Sequence, residues 1–223
     1  MQSTENKEIY KEEFFRAGSF LDKVESKIWR FSYKIRNDKR KKRIKNKDFS
    51  LFCSMCYGGF IYHELGQRFL SPTINLFIRQ KDYLKMLSNL KYYMGLELKF
   101  EKGTSYPIAK LDDIEIHFNH YKSNAEAQNK WNERKSRINW DNLYAIMIER
   151  EGITYEDIIQ FDKLEGFKNK VIFTCREYPE IESACFLKIY KNEREVLPIL
   201  KHVPFTGLRV ADKYFDYVKF LNQ

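Results

Sequence analysis

The chain has 223 residues, with 40 Lys or Arg against 31 Asp or Glu and a formal net charge of +9. Hydrophobic residues at 43% and aromatics at 16% are enough to bury one α/β core, and only 9 Gly and 5 Pro exclude a fibrous or low-complexity class. No apolar run approaches the ~20 residues that span a bilayer. The start, MQSTENKEIYKEEFF, lacks a positive region followed by an apolar one, so a soluble, unprocessed, cytoplasmic protein is expected.

In chain order, residues 7–45 read as helical, with apolar Ile9, Phe14, Phe15, Phe20, Leu21, Val24, Ile28 and Trp29 ahead of a basic stretch. From Tyr33 to Asp48 that stretch sets nine Lys or Arg against two Asp, which draws anionic lipid or phosphorylated ligands unless it is only a solvated connector. The chain carries no helix-turn-helix, zinc-finger or RNA-recognition signature, so nucleic acid is disfavoured as a partner. Residues 1–47 are read as a basic helical extension and 48–223 as an α/β domain. DFSLFCS (48–54) has the pattern of a buried strand, and MCYGGFIYHELG follows as a turn and short helix ending at Gly66.

TINLFI (73–78) reads as a second strand, and QKDYLKMLSNLKYYMG as one amphipathic helix ending at Gly95. LELKFE alternates as a half-exposed strand, and YPIAKLDDIEIHFNHY reads as a hairpin turning at Asp112-Asp113. Ser123 with Glu126 marks a helix start over 123–138. LYAIMIE is a strand, Thr154 and Asp157 open a further helix, NKVIFTC is another strand, and the last seventeen residues read as helical. Strands alternating with helices predict a three-layer α/β sandwich with a mixed, largely parallel central sheet. Ligands in such folds bind beyond the carboxyl ends of strands, which marks the places after Ser54, Phe118 and Thr174.

Four cysteines in such a chain are expected to be reduced. Cys53 and Cys56 form a C-x-x-C, but Cys53 falls inside the strand and no second close pair completes a zinc site. Ser54 and Cys56 stand at a strand-to-helix turn where Gly58 and Gly59 allow close backbone approach, so a nucleophilic Ser54 or Cys56, a ligand contact or only a tight turn is expected there. On an extended strand His117 and His120 point to opposite faces. At the strand's carboxyl end, His120 is placed to act as a general base. In the following helix Lys130, Arg134 and Arg137 form one stripe and Trp131 and Lys135 another, the ordinary look of an exposed face. A Trp amid charges can also cover a sugar face. Asp141 and Asn142 either cap a turn or bind hydroxyls.

The stretches SMCYGGFIYHELG, LSPTINLFI, KDYLKMLSNLKYYM, FKNKVIFTCREY and the long block YPIAKLDDIEIHFNHYKSNAEAQNKWNERKSRINWDNLYAIM resemble a bacterial family associated with exopolysaccharide and capsule biosynthesis. The likeness spans roughly 48 to 190. Family members carry Asn-Cys-Trp-Gly-Gly where this chain has Met55 and Tyr57 around a retained Cys56, Gly58 and Gly59. The resemblance implies a three-layer α/β fold and a transferase acting on surface glycans. Glycosyl transfer is expected first, from a nucleotide sugar held by Arg134 or Lys135 with His120 as base, although no clear D-x-D motif is present. Acyl transfer is the alternative, from a donor such as acyl-CoA, with His120 activating a sugar hydroxyl or Cys56 carrying the acyl group. A non-catalytic, membrane-associated partner of polysaccharide assembly is the contrasting expectation. The catalytic candidates are therefore His120, Asp141 and Cys56. The substrate-binding candidates are Ser54, Gly58, Gly59, His117, Trp131, Arg134, Lys135 and Asn142, with no metal ligand among them.

Overall fold

A computed structural model of the chain describes residues 20–203, 206 and 208–223. Residues 7–19 of the expected N-terminal helix lie outside the described residues. Its remainder forms α1, Phe20–Arg43. The apolar runs at 48–54, 143–149 and 169–175 form β1 (Ser50–Cys53), β6 (Leu143–Ile148) and β7 (Asn169–Thr174). With β8 (Ala184–Phe186) they make one parallel sheet in the order β1-β6-β7-β8. Leu51, Cys53, Tyr144, Ile146, Val171 and Phe173 enter one apolar cluster, while Phe52, Ala145, Met147 and Ile172 enter another. The sheet is thus buried on both faces, which is why its strands read as continuous apolar runs rather than alternating ones.

The α/β expectation holds, with the mixed strand directions sorted into separate sheets. Between β1 and β6 the chain builds an antiparallel sheet from β2 (Phe77–Ile78), β3 (Lys99–Phe100), β4 (Ile108–Leu111) and β5 (Ile114–His117), in the order β2-β5-β4-β3. The expected turn at Asp112-Asp113 joins β4 to β5, with Asp112 at φ 60°. The strand expected over 73–78 shrinks to its last two residues because Asn75 takes a left-handed φ of 56°. The helix read over 80–95 is two, α3 (Gln80–Ser88) and α4 (Leu90–Gly95), divided where Asn89 leaves helical geometry at φ −140°.

Local capping signals were faithful. Gly66 ends α2 (Tyr57–Leu65) at φ 67°, and Ser123 accepts from the Glu126 amide at the start of α5 (Asn124–Lys135). Thr154 and Asp157 form a reciprocal capping box on α6 (Tyr155–Asp162). The C-terminal stretch is not one helix. A two-stranded ribbon, β9 (His202–Val203) with β10 (Leu208–Arg209), precedes α7 (Val210–Tyr214) and α8 (Tyr217–Leu221). Phe215 is extended between the two helices, and Asp216 accepts from the Val218 and Lys219 amides to restart the second.

A buried ionic cluster joins these parts. Glu64 on α2, its side chain 0% exposed, receives Arg40 of α1 at 3.0 Å, Arg209 at 2.5 Å and the Tyr217 hydroxyl at 2.6 Å. Arg40 also reaches Asp212 at 3.0 Å. Asn46, just past α1, donates to the Tyr144 hydroxyl and the Leu221 carbonyl. The end of the basic stretch is therefore tied into the α/β unit by paired arginines and amides.

His202 stacks on Trp29 of α1 at 4.8 Å between ring centroids. Burial, then the neighbouring Arg209 and, more weakly, Arg36, push its pKa from 6.5 down to about 4, against the opposing pull of Asp212. The unfolded chain therefore takes up this proton first as pH falls. The contribution of neutral His202 is complete above about pH 6.5 and is lost as the pH drops toward 4. Thermal melts are expected to show the midpoint falling across that window, and His202→Phe should flatten the slope.

Candidate functional site

The sequence SMC leaves the carboxyl end of β1 and turns directly into α2. Cys56 is the residue before the helix, with φ −61° and ψ −13°, and its carbonyl accepts from the Phe60 amide. The turn packs tightly on the strand that feeds it. A Cβ at Gly58 would stand 3.0 Å from Cys53 Cβ, so this position has to lack one. Gly59 lies beside it in the buried first turn of α2. Tyr57 is fully buried with its ring edge-on to Phe173, so an aromatic there fills the core. Ser54 is buried and bonded to Gln80 Oε1 at 3.1 Å, while the Gln80 amide donates to Glu151. Ser54 thus braces the turn and does not face a ligand.

The second arm comes from the end of β5. Residues 118–121 close a turn through the Tyr121 amide and the Phe118 carbonyl, which leaves Phe118 in the core and turns half-buried His120 outward. His120 Nε2 lies 3.2 Å from Cys56 Sγ, across 64 residues of sequence. The sequence named both residues, and the fold makes them a pair at the carboxyl edge of the parallel sheet, in accord with the general siting rule for such folds.

Behind the pair lies a buried brace that composition could not reveal. The Tyr121 hydroxyl donates to the Ile74 carbonyl at 2.8 Å, and Arg134 Nη1 donates to that carbonyl at 3.1 Å and to Tyr121 Oη at 2.5 Å. The guanidinium also stacks over Phe69, 5.1 Å from its centroid. Arg134, 7% exposed, fixes the segment carrying His120 to the loop at 71–76 and is not presented to a substrate. Replacing it with Met should cost about 1.5–3 kcal/mol in chemical denaturation. Lysine should rescue little, because a point charge cannot reproduce the fork and the stacked plane.

Several other candidates fall elsewhere. Trp131 is 1% exposed and meets Phe118 edge-on, so it is a core ring and covers no sugar face. It lies with Ala127 and Arg134 on the buried side of α5. Lys135 donates to the Leu96 carbonyl and closes the end of α4. His117 is held inside the antiparallel sheet, 3.1 Å from the Tyr106 hydroxyl and against Phe77. Its Nε2 comes within 2.8 Å of Glu115, without hydrogen-bond alignment. Asp141 and Asn142 precede β6, which pairs in parallel with β1 from Leu143 opposite Ser50. They therefore sit at the amino edge of the sheet, the edge opposite Cys56. Asn142 there bonds Asn46 and Asp48, and the Asp141 amide bonds the Asn139 side chain, which are turn-closing roles.

The remaining thiols have a different character. Burial pushes Cys53 and Cys185 up to about 11, and burial together with Glu149 does the same to Cys175. They are held protonated, whereas Cys56 stands at a helix start facing an imidazole. At the end of the adjacent strand β6 a cleft of about 420 Å³ is lined by Arg150, Gly152, Ile153, Arg194, Glu195 and Glu149. Gln80 links this edge to the Cys56 turn, since its Oε1 accepts from Ser54 and from the Ile148 amide. Gln80 escaped notice in the sequence, where a polar residue opening a helix is unremarkable.

The model of the family described as Domain of unknown function (DUF1919) matches residues 27–222. An uncharacterized protein of Haemophilus influenzae is 41% identical over 182 residues, covering 81% of this chain and 87% of that protein.

Proposed function

The chain belongs to the DUF1919 family, and we propose that it is a transferase that carries an acyl group on Cys56 during the biosynthesis of a bacterial surface polysaccharide. The observation that supports the chemistry is the 3.2 Å contact between Cys56 Sγ and His120 Nε2 at the start of α2. A thiol at a helix N-terminus beside an imidazole is the arrangement that activates a cysteine nucleophile. What supports the setting is the likeness of the central block, 106–147, to proteins associated with exopolysaccharide and capsule formation. The same reading puts the protein in the cytoplasm, at the inner face of the membrane.

In the first half-reaction Cys56 gives its proton to His120, and the thiolate attacks the carbonyl carbon of an acyl thioester such as acyl-CoA. The donor's carbon–sulfur bond breaks, its thiolate leaves with the proton from the imidazolium, and the acyl group stays on Cys56. In the second, His120 takes the proton of a sugar hydroxyl as its oxygen attacks the acyl carbon. Cys56 departs as thiolate and regains a proton from His120. The second reading is glycosyl transfer with His120 as base alone. The cleft at the end of β6 favours it to the extent that Arg150 and Arg194 suit the diphosphate of a nucleotide sugar.

Intact-mass measurement after incubation with acyl-CoA separates the two. Acyl transfer gives a mass gain of one acyl group, lost in Cys56→Ala and released by hydroxylamine. Stabilisation by nucleotide sugars with no covalent adduct, and with turnover surviving Cys56→Ala, would favour glycosyl transfer. Neither adduct nor ligand-induced stabilisation would leave the non-catalytic partner role.

A further inference from the structure

One side of α1 turns toward the domain: Arg40 pairs with Glu64 and Asp212, Arg43 pairs with Asp216, and Arg36 is half-buried beside Asn37, whereas Arg30 is exposed. Lys27, Lys34, Lys39 and Lys42 are all exposed. On the same outer side stand two large apolar side chains one turn apart, Phe31 at 72% and Ile35 at 40% exposure. With about 100° of rotation per residue, Phe31 points opposite the Arg36–Arg40 side, with Lys27 and Lys34 on one flank and Ile35 and Lys42 on the other. Asp38 is the acidic residue on this outer side.

We propose that this face of α1 docks on an anionic lipid surface, with Phe31 and Ile35 inserted between headgroups and Lys27, Lys34, Lys39 and Lys42 at the phosphate level. The inference stands apart from the chemistry assigned to Cys56. Apolar residues set among lysines are the composition of a helix lying in a membrane interface, where aliphatic lysine stems bury and their ammonium ends reach the headgroups. The charges decide against the other occupants. A second copy pairing through this face would set lysines against lysines, and a free anion would leave Phe31 and Ile35 unused. Among the described residues no helix is long and apolar enough to cross a membrane, so the contact is peripheral.

The test is sedimentation of the full chain with vesicles of phosphatidylcholine alone or mixed with phosphatidylglycerol. Binding is expected only to the mixed vesicles and should weaken as salt is raised. The double variant Phe31→Ser/Ile35→Ser, which leaves the net charge unchanged, should bind roughly tenfold or more weakly. Lys34→Gln, Lys39→Gln and Lys42→Gln should each weaken binding about fivefold. Circular dichroism checks that the variants fold as the parent does. The proposal is overturned by equal uptake on both vesicle types or by binding indifferent to the loss of Phe31 and Ile35. It is equally overturned if there is no uptake and light scattering finds a dimer that the double serine variant dissolves.

Discussion

Cys56→Ala is expected to abolish both the acyl adduct and turnover, and His120→Ala to lower turnover by roughly 10²–10⁴-fold, with neither change unfolding the protein. The residues are half-buried at an edge of the sheet, and the wall behind them is held by Ser54, Tyr121 and Arg134 rather than by the pair itself. Iodoacetamide labelling offers a check that needs no substrate. Cys56 should alkylate first, since Cys53 and Cys175 are 0% exposed and all three other thiols are held protonated by their surroundings. In His120→Ala the alkylation rate at neutral pH should fall toward that of an unassisted thiol. Labelling of Cys56 no faster than of a denatured control would count against the nucleophile. So would turnover retained in Cys56→Ala.

Glu64→Gln is expected to destabilise the fold by about 3–5 kcal/mol, the typical cost of removing one partner from a buried ion pair. The carboxylate is the shared acceptor of Arg40, Arg209 and Tyr217, and Arg209 is only 3% exposed. Without it, two guanidinium groups are left with Asp212 as their acidic partner in the cluster, at 3.0 and 3.8 Å. Arg209→Met should cost less than Glu64→Gln, because Glu64 keeps Arg40 and Tyr217. The double replacement Glu64→Met/Arg209→Met should recover part of the loss, since it removes the desolvation cost of both charges. Urea denaturation of the three variants gives the coupling directly. A loss below 1 kcal/mol for Glu64→Gln would show that water replaces the carboxylate and that the cluster does not hold α1 in place.

Much of the parallel sheet was readable because β1, β6 and β7 are each an apolar run bounded by polar turns, and burial on both faces leaves no alternation to confuse the pattern. Caps were readable for the same local reason: Gly66, Ser123 and Thr154 act within four residues of themselves. The antiparallel sheet was only half visible. Its strands are two to four residues long, and Asn75 breaks the expected run with a backbone angle that no periodicity encodes.

For the site, the residues at strand ends include Cys56 and His120, which the fold brings within 3.2 Å of each other. Asp141 and Asn142, read as turn caps or hydroxyl binders, follow a helix and lead into a strand, and so belong to the sheet's amino edge, where they close the turn. Trp131 and Arg134 looked solvated among neighbouring charges. The stripe through Ala127, Trp131 and Arg134 is nevertheless the one that α5 buries, with too few apolar residues to mark it. Glu64 was equally silent, a single acid in the apolar run FIYHEL whose partners come from α1 and the C-terminal segment.

By itself, then, the sequence determined the α/β class, the positions of β1, β6 and β7, the helix caps and the chemical types at two strand ends, because each is written in a pattern within a few residues. Only the tertiary structure decided that Cys56 meets His120, that Arg134 braces and does not bind, and that Arg40 turns inward while Lys27, Lys34, Lys39 and Lys42 stay in water. Those outcomes depend on residues 13 to 172 positions apart. Distances of that kind are set by how the sheets and helices pack around two apolar clusters, and no local pattern carries them.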